Sequence, residues 1–150
     1  VEEVVISLAT LADARKISLL SRERIEYGLK WHYTEGRIRK LITHESKNVA
    51  VAKTTNILVG FGIMTYHEDR SNLDLLAVKT EFQGKGVAKE LVNWLEAVAL
   101  SAGIQRVYVQ ARETNKHGVE FYNKLGYQQF AEEQRFYGLE SQIRMVKNLC

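Results

Sequence analysis

The 150-residue chain contains no proline and a single cysteine, Cys150 at its end. Without proline, no helix or strand pattern is interrupted and no rigid linker is marked. One terminal cysteine excludes an internal disulfide framework and fits a cytoplasmic protein. The four histidines stand at no ligand spacing, so no metal site is expected. No apolar run approaches the roughly 18 residues needed to span a bilayer. The opening VEEVVISL is too acidic and too short for a signal peptide and reads as a first strand. An excess of one charge is also lacking: 21 Lys and Arg face 18 Asp and Glu, a net +3. Residues 21 to 45 mix six basic side chains with four glutamates, a solvated surface and not the basic, aromatic-laced stripe of a nucleic-acid binder. Neither nucleic acid nor membrane is expected as a partner. Repeats and low-complexity tracts are missing too, so residues 1–150 read as one domain, long enough to bury about two-thirds of the unfolded surface.

What is present is a regular alternation of strand and helix patterns. Val4 to Leu8 is a strand, and Thr10 and Asp13 open a helix carrying Leu11, Ile17, Leu19, Leu20 and Ile25. Thr34 and Glu35 begin a second helix that presents Ile38, Leu41 and Ile42 inward. Asn48 to Lys53 and Ile57 to Tyr66 form a hairpin, and Asn72 to Val78 continues it as a central strand. From Gly86 to Ala102 the apolar stripe is Val87, Leu91, Leu95, Val98 and Ala102, with Lys89, Glu90, Asn93 and Glu96 opposite; Gly103 stops the helix. Arg106 to Ala111 then runs parallel to the central strand and completes a βαβ unit. A short helix over Val119 to Leu125 is closed by Gly126. Tyr127 to Phe130 and Gln142 to Leu149 make the last strands, which could pair across a homodimer.

The most informative stretch runs from Leu76 to Ala88 (LAVKTEFQGKGVA), a strand leading through a glycine-bearing turn into a helix. The start of a helix exposes unpaired N–H groups and carries partial positive charge. Gly84 and Gly86 let an anion approach those amides, which makes a phosphate cradle. It is not a P-loop, because Gly86 is followed by Val87 and no Ser or Thr is placed for magnesium. It is not a dinucleotide fingerprint either: the third glycine position holds Lys89, and no carboxylate lies near residues 103 to 108.

The pattern that fits is [R/Q]-x-x-G-x-[G/A], with Gln83, Gly86 and Ala88 at the fixed positions. About thirty residues on, Asn115 to Tyr127 (NKHGVEFYNKLGY) supplies an Asn followed by a helix ending in F-Y-x-K-x-G-[FY]. With these two segments the chain resembles the GNAT family of acetyl-CoA-dependent N-acetyltransferases, closely over residues 70 to 131 and loosely elsewhere. The resemblance implies an α+β fold, a three-layer α/β/α sandwich around a mixed, mostly antiparallel sheet. It also implies acetyl-CoA as cosubstrate and a small-molecule or protein amine as acceptor. Since no Ser or Cys sits in a nucleophile elbow, direct attack in a ternary complex is expected and not an acyl-enzyme. The other readings are a non-catalytic acyl-CoA-binding or regulatory domain and a nucleotide-binding module unrelated to coenzyme A.

Residue by residue, the resemblance implies that Leu76, Ala77 and Val78 splay from the neighbouring strand and offer their backbone to the pantetheine arm. The amides of Gln83, Gly84, Lys85, Gly86, Val87, Ala88 and Lys89 would hold the pyrophosphate, and Lys85, Lys89, Lys116 and Lys124 lie in or near these segments. A main-chain N–H near Val78 would polarise the thioester carbonyl. Asn115 has two readings, cap of the short helix or contact to the cofactor arm. Tyr122 likewise is either a packing residue or the proton donor to the departing thiolate, for which a phenol of ordinary pKa about 10 is suited. For the base, Asp74 is the expectation, on a strand face with Asn72 and Leu76; Asn72 stands where some relatives carry a glutamate. Glu68, Asp69, His67 or a water chain are alternatives. Trp31, His32 and Tyr33 either wall the acceptor pocket or pin a loop.

Overall fold

The structure, a computed structural model, describes residues 3–26, 31–133 and 141–149. A strand β1 (Val5–Leu8) leads into a single 3-10 turn, Leu11–Asp13, and then helix α1 (Ala14–Arg24). The Thr10 N–H donates to the Asp13 carboxylate at 2.8 Å, which satisfies one orphan amide at the helix start. Helix α2 (Glu35–Ile42) begins where the Thr34 hydroxyl accepts from the Arg37 N–H. Strands β2 (Lys47–Lys53), β3 (Leu58–Tyr66) and β4 (Ser71–Val78) form an antiparallel meander. Helix α3 (Val87–Ser101) crosses to β5 (Arg106–Arg112), and α4 (Lys116–Lys124) precedes β6 (Gln128–Glu133) and β7 (Gln142–Asn148). Gly103 stops α3 with φ +86°, a conformation that would strain a side-chain-bearing residue.

All seven strands share one sheet in the order β1-β2-β3-β4-β5-β7-β6. Among the described residues only β4 and β5 are parallel neighbours. One face packs on α3 and α4 through Val59, Met64, Leu91, Leu95, Val107 and Tyr122. The other packs on α1 and α2 through Ile17, Leu20, Ile38, Phe61 and Ile63. The fold is therefore the α+β sandwich with a mixed, mostly antiparallel sheet that the resemblance implied. Gly60 and Gly62 let α3 lie close: a Cβ on Gly60 would fall 3.0 Å from the Ala77 carbonyl oxygen and 3.2 Å from Leu91. Strand β7 is paired on both sides, so of the last two strands β6 alone lies at the sheet's edge.

Several expected faces shift. Leu11 and Leu19 are exposed, since α1 buries Ala14, Ile17, Ser18, Leu20 and Ser21 instead. On α3 the buried stripe is Val87, Leu91, Val92, Leu95, Glu96 and Ala99, while Ala102 is exposed. Glu96, expected on the polar face, is buried with its carboxylate accepting from the Tyr127 hydroxyl (2.7 Å) and from Lys147 Nζ (2.9 Å). A buried carboxylate is tolerated when it is paired and hydrogen-bonded in this way. Tyr127 lies just before β6 and is 1% exposed. Helix α4 starts three residues earlier than expected, at Lys116, because Asn115 caps it.

The start of α1 is tied to the sheet by Asp13, whose other carboxylate oxygen lies 2.6 Å from Lys53 Nζ at the end of β2. Burial alone would raise the Asp13 pKa, but the bonds from Lys53 and Thr10 outweigh it and hold the carboxyl below its ordinary value. A depressed native pKa stabilises the fold above the unfolded value near ~3.9, and that stability disappears as pH falls through the lower native value. Asp13→Asn should lose about 1–3 kcal/mol at neutral pH. It should also lose less stability than the wild type on acidification below about pH 4. Urea unfolding at several pH values checks both.

Candidate active site

Strands β4 and β5 pair at Ser71↔Val107, Asn72↔Tyr108 and Leu73↔Val109, and among the described residues no further. Beyond Leu73 they part, leaving a fork whose β4 arm is Leu75 to Val78. On that arm the Lys79 N–H donates to the Val59 carbonyl of β3 at 2.8 Å. Amides alternate sides along a strand, so the Val78 N–H points the other way, into the fork. The side chains of Leu76 and Val78 pack on the α3 face, and Ala77 packs on the opposite face. All three expected cofactor-strand residues have packed side chains; by the same alternation the backbone groups of Leu76 and Val78 face the fork, while those of Ala77 face β3.

The β4 arm runs directly into the turn before α3. Gly84 and Gly86 have φ of +76° and +83°, and a Cβ on either would meet nothing within 4 Å. The approach to the turn's amides is therefore open. Gly86 is the N-cap of α3, and no side chain caps that first turn, which leaves its N–H groups for an external anion. Gln83 latches the turn to the strand end, its Nε2 donating to the Val78 carbonyl at 3.4 Å. Val87 is buried and anchors the helix start, Ala88 is half-buried, and Lys89 is exposed. Lys85 lies over the Phe82 ring at 5.3 Å, and Lys124 pairs with Glu120 at 3.4 Å.

Tyr122 projects from α4 into the core that contains Leu73, Val78 and Val109, the residues flanking the fork. Its ring meets Phe121 and Tyr127 edge-on, with centroids 5.1 and 5.5 Å apart. Burial pushes its phenol well above the ordinary pKa. The hydroxyl is therefore neutral at any physiological pH, a donor and not an anion. Asn115 Oδ1 accepts from the Gly118 N–H at 3.0 Å, so the capping reading is realised.

Asp74 requires a correction. Ile63 pairs with Leu75 and Met64 with Leu73, so Asp74 is the extra residue of a β-bulge. The bulge inverts the alternation that follows it. Leu73 and Leu76 consequently share the α3 face, and Asp74 does not share a face with Leu76. It does share with Asn72 a cleft of about 440 Å3 on the side of Tyr33. There its carboxylate accepts from the Thr65 hydroxyl and lies 3.7 Å from Lys47 Nζ.

The rest of that cleft was not singled out from sequence. Lys47, Tyr108, Gln110, Phe130 and Arg144 line it, contributed by β2, β5, β6 and β7. The one local signal was the alternation of Tyr108 and Gln110 with buried Val107 and Val109. Tyr33 both walls the cleft and is pinned. Buried Glu26 accepts from the N–H groups of His32 (2.5 Å) and Tyr33 (3.3 Å), and the Ser18 hydroxyl donates to the Tyr33 carbonyl at 2.6 Å. Among the described residues no group of three or more His, Cys, Asp or Glu is placed to hold a metal.

Comparison with known proteins agrees with this fold. Residues 11–127 match the acetyltransferase (GNAT) family. An acetyltransferase of Pectobacterium atrosepticum is 27% identical over 106 residues, 71% of this chain and 75% of that protein. The Escherichia coli ribosomal-protein-S18-alanine N-acetyltransferase superposes with a TM-score of 0.85 at 17% identity, over 98% of this chain and 94% of that one. An aminoglycoside 6'-N-acetyltransferase complexed with coenzyme A gives 0.85 at 20% identity, covering 97% of each chain.

The Asn115 cap makes a stability prediction. Asn115→Ala should cost about 1 kcal/mol, within the usual 0.5–2 range for a lost cap, whereas Asn115→Asp should keep most of it. Chemical denaturation of the two variants measures the difference.

Proposed function

Because this chain belongs to the GNAT family of acetyltransferases, we propose that it is an N-acetyltransferase moving acetyl from acetyl-CoA to a primary amine by direct attack. The observation that carries this reading is the continuity of the fork with the uncapped start of α3. Pantetheine would lie along the β4 arm, and the diphosphate would sit on the amides of Gln83 to Lys89. The neighbour complexed with coenzyme A supports that cosubstrate. The neighbours named for a ribosomal-protein alanine and for an aminoglycoside support an amine acceptor, on a protein or a small molecule.

In this reading the two groups that would handle protons approach from opposite faces of the sheet. Asp74 faces the cleft on the α1–α2 side, and Tyr122 comes from α4 on the other. The thioester would pass through the fork between them. The amine nitrogen, having lost a proton to Asp74 or through water, attacks the carbonyl carbon while the Val78 N–H polarises the oxygen. The C–S bond then breaks as the nitrogen gives up its remaining extra proton to water, and the sulphur takes a hydrogen bond and finally the proton from Tyr122, whose buried phenol regains a proton from solvent. The products are the acetylated amine and free coenzyme A. Holding both reactants at attack distance would supply much of the rate.

Tyr122→Phe should leave coenzyme A affinity in place and lower kcat by about 10²- to 10⁴-fold. Since burial raises the phenol pKa, ionisation of Tyr122 should produce no alkaline loss of rate up to about pH 10. A mutant within a factor of two of the wild type would return Tyr122 to a packing role. Gly86→Val, which puts a β-branched side chain at a positive-φ position in the open turn, should weaken coenzyme A binding by roughly tenfold or more, read by calorimetry. No measurable association of the wild type with coenzyme A would refute the cradle.

A further inference from the structure

The cleft beside the fork is formed by a row across three strands. Leu73 pairs with Val109, and Val109 with Met145; one step along, where β4 has left β5, Asp74 lies across the opening from Gln110, which pairs with Arg144. Two bulges shape this row. Asp74 is the extra residue of one, and Phe130 is the extra residue of the other, between Gln129↔Met145 and Ala131↔Arg144. A bulge re-aims the side chain it carries, and both of these bulge side chains line the same cleft.

The two ends of the row differ in charge state. At the β4 end, the Asp74 carboxylate is already engaged by Thr65 and lies near Lys47. At the β7 end, the Arg144 guanidinium lies 5.0 Å over the Phe130 ring, and that ring stands edge-on to Tyr108 at 5.6 Å. Among the described residues Arg144 has no carboxylate partner. A guanidinium set over an aromatic ring makes that contact without using its N–H donors, which can then receive a planar anion. Lys47 and Arg144 against Asp74 give the cleft wall two cations and one carboxylate. A polycation would meet a net positive site with a single carboxylate, which can receive one ammonium and not several.

The geometry points to an acceptor amine that also carries a carboxylate, set across a flat apolar body. The ammonium end lies at Asp74 beside the fork, the body lies on Tyr108 and Phe130, and the carboxylate is received by Arg144. Paired backbones two strands apart are separated by roughly 10 Å, and the parting of β4 from β5 makes this a lower bound, which calls for a spacer between the two charges. This assignment rests on the acetyl-transfer reading above and narrows its acceptor.

The test compares benzylamine, 4-(aminomethyl)benzoate and spermidine as acceptors for the wild type and Arg144→Gln, with coenzyme A binding measured for both. Wild type should favour the carboxylate-bearing amine over benzylamine by roughly tenfold or more in kcat/KM, and spermidine should be the poorest. Arg144→Gln should bring that ratio close to one, through KM and not kcat. Calorimetry of 4-(aminomethyl)benzoate on the coenzyme A complex should show the same loss. A ratio unchanged by Arg144→Gln, spermidine as the preferred acceptor, or no binding of 4-(aminomethyl)benzoate would overturn the proposal. Failure of coenzyme A itself to bind the wild type would instead refute the reading beneath it.

Discussion

Parallel strands β4 and β5 begin as ordinary ladder partners and then separate after Leu73, and most of the site follows from that parting. Backbone N–H and C=O groups left without a strand partner need another. In this sheet the need falls on the β4 arm, from Leu75 to Val78, whose other edge is already bonded to β3. The arm is held apart from β5 by its packing. Leu76 and Val78 are committed to the α3 face, Leu75 and Ala77 to the α1–α2 face, and Val59 takes the Lys79 amide. An extended ligand with its own amides can complete the ladder without any rearrangement of the protein.

The same arm delivers the chain to the glycine turn, so one segment presents a strand edge and then a helix N-terminus along a single path. Close approach of α3 to the sheet, allowed by Gly60 and Gly62, fixes where that N-terminus lies. Val87, Leu91, Val92 and Leu95 then clamp the helix. Glu96, Tyr127 and Lys147 add a buried polar link between α3 and the last strands, and Tyr127 in turn stands edge-on to Tyr122. Cradle, fork and tyrosine are thereby referred to one rigid layer.

What could be read directly from the letters was local. The turn at Gly84 and Gly86, the cap at Asn115, the stop at Gly103 and the order of strands and helices each depend on neighbours within a few positions. Features that depend on remote partners were read less well. Helical periodicity puts Glu96 on a polar face because it does not show that Lys147 lies opposite it, 51 residues away. Asp74 was assigned the face of Leu76 because strict alternation cannot reveal a bulge, which is a property of the pairing with β3. The polar and aromatic cleft wall escaped for the same reason, since Lys47, Tyr108, Phe130 and Arg144 come from four strands scattered along the chain.

By itself, then, the sequence determined the glycine turn that opens α3 and the family to which the chain belongs, because glycines, caps and an apolar stripe act through short-range sterics and hydrogen bonds. Tertiary structure decided where β4 leaves β5, which side of the sheet Asp74 and Tyr122 approach from, and which charges meet in the cleft. Those outcomes depend on strand register and on how two cores pack against opposite faces of one sheet. Register is a relation between distant segments, and no single stretch of residues contains it.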